Sequence, residues 1–205
     1  MQTAIGEPRQ RRDGAMSRSA RPPRIYLAGP EVFLPSARAL GGEKCRLLAA
    51  AGLEGVFPYD ASLAREGLGK RAQAERIFAA NTALMRSCAG LIANLTPFRG
   101  VSADAGTIFE VGFMRGLGRP VSAYTNVAAN YHARATAFRA RRSTLADCDR
   151  PECAVEDHDL SDNLMLEMAV IASGCSLIRH QGTADMAELT AFRGCLADIA
   201  RLLAS

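Results

Sequence analysis

The sequence predicts an α/β fold: a doubly wound, five-stranded parallel sheet forming a single domain. Three observations carry that expectation. From Arg24 onward, short apolar runs alternate with longer amphipathic stretches, the pattern of strand–helix–strand units whose strands lie parallel. The run Gly90 to Leu95 is apolar or small throughout apart from Gly90 and Asn94, as expected of a strand covered by helices on both faces. The chain has 205 residues, 48% of them hydrophobic, which is enough for one substantial core.

The elements follow in order. Residues 1–23 are rich in Arg, Pro, Gly and Ser with almost no large apolar side chains. Such a composition cannot offset its own ordering entropy, so a disordered basic tail is expected, with Met16 as a second possible start. The domain, 24–205, opens with a strand from Arg24 to Gly29 and a helix from Ser36 to Ala51. A short strand near Val56 and Phe57 leads to a helix from about Lys70 to Ser87, and Gly90 to Leu95 is the third strand. A helix from about Gly106 to Leu117 is stopped by Gly118 with Pro120 just beyond, the usual chemistry of a helix C-terminus. Pro120 to Tyr124 reads as the fourth strand, Cys175 to Ile178 as the fifth, and Asp185 to Leu203 as the last helix. Between strands four and five lies a long polar excursion, 126–159. Connections of that length are usually functional or mobile, so a lid over the ligand site, its arginines facing solvent, is expected.

Charge and composition bound the function. The formal charge of +4 is concentrated in Arg11, Arg12, Arg18, Arg21 and Arg24 and again in Arg134, Arg139, Arg141 and Arg142. Neither cluster is interleaved with aromatics as a base-stacking surface would be, so nucleic acid is not an expected partner. No apolar run reaches the roughly twenty residues needed to cross a bilayer. The six cysteines are dispersed and follow no signal peptide, which predicts a reduced, cytoplasmic protein. Cys148, Cys153 and His158 match no common zinc spacing, so neither a metal nor a cofactor is expected.

In an open parallel sheet, ligands bind outside the carboxyl ends of the strands, which directs attention to the segments that leave Leu27, Leu95 and Tyr124. After the first strand comes Gly29-Pro30-Glu31-Val32-Phe33, where Gly29 permits close approach of a ligand and Phe33 supplies an aromatic. After the third, Asp104 stands at the entrance of a helix, and Glu110 is expected in its first turn among Ile108, Phe109, Val111 and Phe113. An acid in a first turn can simply serve the helix dipole, an effect of about 0.3–1 kcal/mol when exposed. A lone carboxylate in apolar company equally suits chemistry, and the pattern alone leaves both readings open.

Four stretches in order, Tyr26-Leu27-Ala28-Gly29-Pro30, Asn94-Leu95-Thr96-Pro97-Phe98-Arg99-Gly100, Asp104 to Gly112 and Asp162-Asn163-Leu164-Met165-Leu166, resemble the nucleoside 2-deoxyribosyltransferase family. The resemblance implies a flavodoxin-like sheet and a dimer-based homo-oligomer. It also implies ping-pong exchange of purine or pyrimidine bases on 2-deoxyribose, with 2'-deoxynucleosides and free nucleobases as ligands. Carried over by position, Glu110 resembles the nucleophile and Tyr26 the tyrosine that orients it. Asp104 resembles the acid that helps hold the sugar or base, and Asn163 and Met165 the pair that a neighbouring subunit contributes. Asn81 falls where some members carry an aspartate that meets the leaving base; an amide there donates a hydrogen bond but delivers no proton. Ala89 replaces an acid common in relatives. Two alternatives stay open. One is a deoxynucleoside 5'-monophosphate N-glycosidase, against which Asp104 argues by repelling a phosphate dianion. The other is a non-catalytic nucleotide-sensing module of the same fold.

Overall fold

The computed structural model describes residues 21–59, 67–141, 153–182 and 185–204. All but the last three residues of the expected tail, and Cys148 with the middle of the 126–159 excursion, lie outside the described residues. The strands are β1 (Arg24–Ala28), β2 (Glu54–Val56), β3 (Gly90–Asn94), β4 (Val121–Thr125) and β5 (Leu177–Arg179). They form one sheet in the order β2-β1-β3-β4-β5 with every pairing parallel. This is the doubly wound order whose direction of winding reverses between β1 and β3, where a ligand crevice opens. β3 and β4 are buried at every position, as the continuous apolar run requires.

The helices are α1 (Ala37–Ala50), α2 (Lys70–Arg86), α3 (Ala105–Gly116), α4 (Tyr131–Arg141), α5 (Leu164–Ile171) and α6 (Thr190–Ala204), with a short 3-10 turn at Pro30–Phe33. α1 and α6 share one face of the sheet: Lys44 of α1 lies over the ring of Phe192 of α6, 5.1 Å from its centroid. α3 packs beside α2 and α5 on the other face. Strand side chains alternate, and Tyr26 reaches Glu110 of α3 while Tyr124 reaches Lys44 of α1. The two tyrosines therefore mark opposite faces. No helix among the described residues is long and apolar enough to cross a membrane.

Three expectations are corrected. The 126–159 excursion is not an uninterrupted loop, since α4 occupies Tyr131–Arg141. Asn130 starts it by accepting from the Ala133 amide at 2.8 Å, and its weak apolar spacing (Tyr131, Ala135, Phe138) hides it in the sequence. Its arginines do not all face solvent. Arg134 is only 11% exposed, donates to the carbonyls of Val101, Ala129 and Ser161, and pairs with buried Asp162 at 3.6 Å. The last helix begins at Thr190, not Asp185; the Glu188 carboxylate accepts from both the amide and the hydroxyl of Thr190. α5 is an added element. Its sequence LMLEMAVI is apolar nearly all round, so no helical periodicity announces it.

Candidate active site

A cleft of about 280 Å³ opens at the carboxyl ends of β1 and β3, lined by residues that include Gly29, Phe33, Asn81, Asp104 and Glu110. That size is near the lower end of the range for small-molecule sites. Five of the eight residues singled out in the sequence thus meet in one place, and a sixth, Tyr26, touches it through Glu110.

Glu110 is the sixth residue of α3, and Asp104, not a residue further on, is the helix N-cap. The expectation of a first-turn acid is therefore corrected: Glu110 lies in the second turn, beyond the strongest influence of the helix N-terminus, which fades within the first turn. What holds it is a hydrogen bond from the Tyr26 hydroxyl to Oε1 at 2.6 Å. Tyr26 is fully buried in β1, so this contact ties the helix after β3 to the strand on the far side of the crevice.

The electrostatics oppose one another. Burial raises the Glu110 carboxyl, the Tyr26 hydrogen bond lowers it, and the negative charges of Asp104 and Glu31 raise it further, leaving it at about 7. A carboxyl so placed is ionised in a useful fraction near neutrality without the solvation that would blunt a carboxylate elsewhere. Tyr26 is pushed well above the ordinary phenol range by its burial and by Glu110, so it remains a donor at any physiological pH.

Asp104 has two roles in space. Its Oδ2 accepts from the amides of Gly106 and Thr107 at 3.0 and 3.2 Å, and the residue lines the cleft. Asn81, on α2 at the opposite wall, carries a buried Oδ1 without a hydrogen-bond partner. Phe33 is 54% exposed and stacks on Phe98 with ring centroids 5.5 Å apart; Arg99 lies over both rings. Gly29 is sterically required. A Cβ there would stand 1.8 Å from Oε2 of Glu31 and 2.9 Å from Cβ of Asn94.

Asn163 and Met165 are not brought to this cleft. Asn163 N-caps α5, accepting from the Met165 amide at 3.0 Å and donating to Glu156 at 2.6 Å, while Met165 projects outward, 70% exposed. No described residue of 126–159 lines the cleft either.

Sequence reasoning missed Val32, Pro58, Tyr59, Ile77, Gly106 and Thr107 as lining residues. Tyr59 was within reach, since it lies just beyond the second strand and strand ends carry ligands. The buried cluster of Glu31 and Lys44 behind Gly29 gave no signal of its own.

The chain matches the family model described as nucleoside 2-deoxyribosyltransferase over residues 25–165, more than half its length. It is 29% identical over 199 residues to an uncharacterised protein of Schizosaccharomyces pombe, covering 89% of this chain and 91% of that one. Among solved structures it is similar to a 2-deoxyribosyltransferase of Leishmania mexicana, with a TM-score of 0.52, 26% identity, and coverage of 71% of this chain and 85% of that one. It also shares the fold of a conserved protein from Enterococcus faecalis, with a TM-score of 0.52, 19% identity, and coverage of 88% and 98%.

Proposed function

The chain belongs to the nucleoside 2-deoxyribosyltransferase family, and from that premise we propose that it moves 2-deoxyribose between bases through a covalent 2-deoxyribosyl ester on Glu110. The observation that carries this reading is the 2.6 Å hydrogen bond from Tyr26 to Glu110 inside a cleft of small-molecule size.

That geometry supports the following chemistry. Cleavage of the N-glycosidic bond builds positive charge on the anomeric carbon, and a carboxylate beneath it stabilises that charge and then bonds to the carbon as the base departs with the bond's electrons. An acceptor base attacks the same carbon from the opposite side and displaces the Glu110 carboxylate, losing its ring N–H proton to solvent while the departed base takes one up, so two inversions give net retention. A 2-deoxy sugar lacks the electron-withdrawing hydroxyl next to the developing charge, which favours deoxyribosides over ribosides. Tyr26 holds the attacking oxygen through the other. Phe33 offers a ring to the base, and Asn81 offers an amide that can accept or donate but cannot protonate the leaving group. Asp104 contributes a polar group on the Glu110 side of the cleft and disfavours a 5'-phosphate.

Incubation with deoxyinosine and adenine tests the reading, with nucleosides and bases separated by chromatography. The expected products are deoxyadenosine and hypoxanthine. Release of free deoxyribose alone, turnover restricted to a 5'-monophosphate, or binding without turnover would each overturn it.

A further inference from the structure

Behind the cleft, on the α1 and α6 face of the sheet, lies a group of polar side chains that the proposed chemistry does not use. Glu31, Lys44, Asn94 and Tyr124 are each at most 2% exposed. One carboxylate oxygen of Glu31 takes all the donors: the Lys44 ammonium, the Asn94 amide at 2.8 Å and the Tyr124 hydroxyl at 3.0 Å. Lys44 also donates to Tyr124 at 2.8 Å and lies over the rings of Tyr124 and Phe192. The other oxygen of Glu31 has no partner and occupies the space that a side chain on Gly29 would fill. Gly29 is itself part of the cleft wall. Burying an ion pair is costly in desolvation, and an apolar contact between α1 and the sheet would serve the core as well. The location of this pair therefore calls for a different reason.

We propose that the buried Glu31–Lys44 pair is a positioning unit of the active site, fixing the Gly29–Phe33 wall of the cleft from behind and setting the charge that Glu110 experiences across it. The wall segment runs from Gly29, through the Pro30–Phe33 turn that carries Glu31, to Phe33. Glu31 is the one side chain of that segment bonded to α1, β3 and β4 at once. It thereby fixes the ring of Phe33 relative to the strand ends. The charged groups facing Glu110 are Asp104 at the start of its own helix and Glu31 behind Gly29; Tyr26 of β1 faces it as a hydrogen-bond donor. Asn81, on α2, is uncharged. Of the two negative groups, Glu31 is the one whose charge is tied to a buried cation.

This inference rests on Glu110 being the nucleophile. The double variant Glu31→Gln/Lys44→Met removes both charges at nearly constant volume and leaves a carbonyl for Asn94 and Tyr124. Joint replacement of a buried pair is commonly neutral for stability. Titrating the Glu110 carboxyl by ¹³C NMR, with the resonance assigned by its loss in Glu110→Gln, reads the coupling without turnover. The expected result is a midpoint lower than wild type. The acid limb of the kcat/KM profile for exchange should shift with it, and plateau kcat should fall roughly tenfold to a hundredfold as the wall loosens. Glu31→Gln alone should move the midpoint in the same direction and serves if the double variant does not fold. Tyr124→Phe, which removes the hydroxyl's hydrogen bonds to Glu31 and from Lys44 but no charge, should leave the midpoint in place. A folded double variant with the wild-type midpoint and kcat overturns the proposal. If wild type performs no exchange, the transferase reading fails while the NMR midpoint still decides the coupling.

Discussion

Glu110 and Tyr26 are separated by 84 residues in sequence and by 2.6 Å in space, and the consequences of that contact are measurable. Glu110→Ala is expected to lower exchange by about three orders of magnitude or more while weakening nucleoside binding far less, because it deletes the attacking atom and leaves the cleft. Mass spectrometry of wild type mixed with a deoxynucleoside and no acceptor should place a deoxyribosyl adduct on the Glu110 peptide; an adduct elsewhere would remove Glu110 from the role. Tyr26→Phe should cost less. The raised carboxyl also has a signed effect on stability. A group whose pKa is about 7 in the folded chain and 4.5 as its ordinary value binds more protons when folded, so its contribution to stability is complete below 4.5 and lost as pH rises through 7. Glu110→Gln removes that loss while keeping an acceptor for Tyr26. Its melting temperature should therefore exceed wild type at pH 8 and match it near pH 4.5, and a difference independent of pH would show that the carboxyl is not raised. Both residues were legible through the ordered motifs, not through their pattern alone. Glu31 and Lys44 were not, because an acid after Gly-Pro and a lysine in an amphipathic helix both read as solvated until the fold closes over them.

α3 shows how one element serves stability and chemistry together. Asp104 caps it and also lines the cleft, and two substitutions separate the roles. Asp104→Ala should cost about 1 kcal/mol in denaturant unfolding, whereas Asp104→Asn, an equally good cap, should cost almost nothing. Exchange should fall in both, and full activity in Asp104→Asn would reduce the residue to its cap. The Gly106–Leu117 expectation for this helix missed by one residue at each end, since a capping acid and a terminating Gly118 are local signals. α4 and α5 were hidden because their formation depends on distant partners. Asp162 accepts from Ser102 and from the Ala103 amide at 2.9 Å and pairs with Arg134 of α4, joining the approach to α3, the start of α5 and α4 into one clamp. Asp162→Ala takes the counter-charge from Arg134, which keeps its three carbonyl acceptors, and takes the acceptor from the Ala103 amide; it should destabilise the chain by about 1–3 kcal/mol. A loss within experimental error in urea titration would show that the clamp contributes nothing.

At the scale of the whole molecule, the sheet order places Tyr26, Gly29 and Glu110 at the reversal between β1 and β3. Asn163 and Met165, expected to serve a neighbour, stand outside their own cleft, and Met165, Met168 and Ile171 leave an apolar face on α5 that is 70%, 43% and 47% exposed. Apolar residues grouped in this way mark contact surfaces. A two-fold assembly makes each such contact reciprocal, which yields a quantitative test. On the proposed reading, Glu110→Ala removes the nucleophile of its own site, and Met165→Glu would put a charge into a partner's site at an exposed position where the fold loses little. If the sites are shared, each variant alone is nearly inactive. Co-assembled in equal amounts, half of the dimers are hybrids, and each hybrid has one site with both replacements and one with neither. Activity should therefore return to about a quarter of wild type. Size measurement across a dilution series should show a dimer or larger species, with activity falling as it dissociates. A mixture no more active than the sum of its components, or a monomer retaining full exchange, would mean that each chain completes its own site and that Asn163 and Met165 have no part in it.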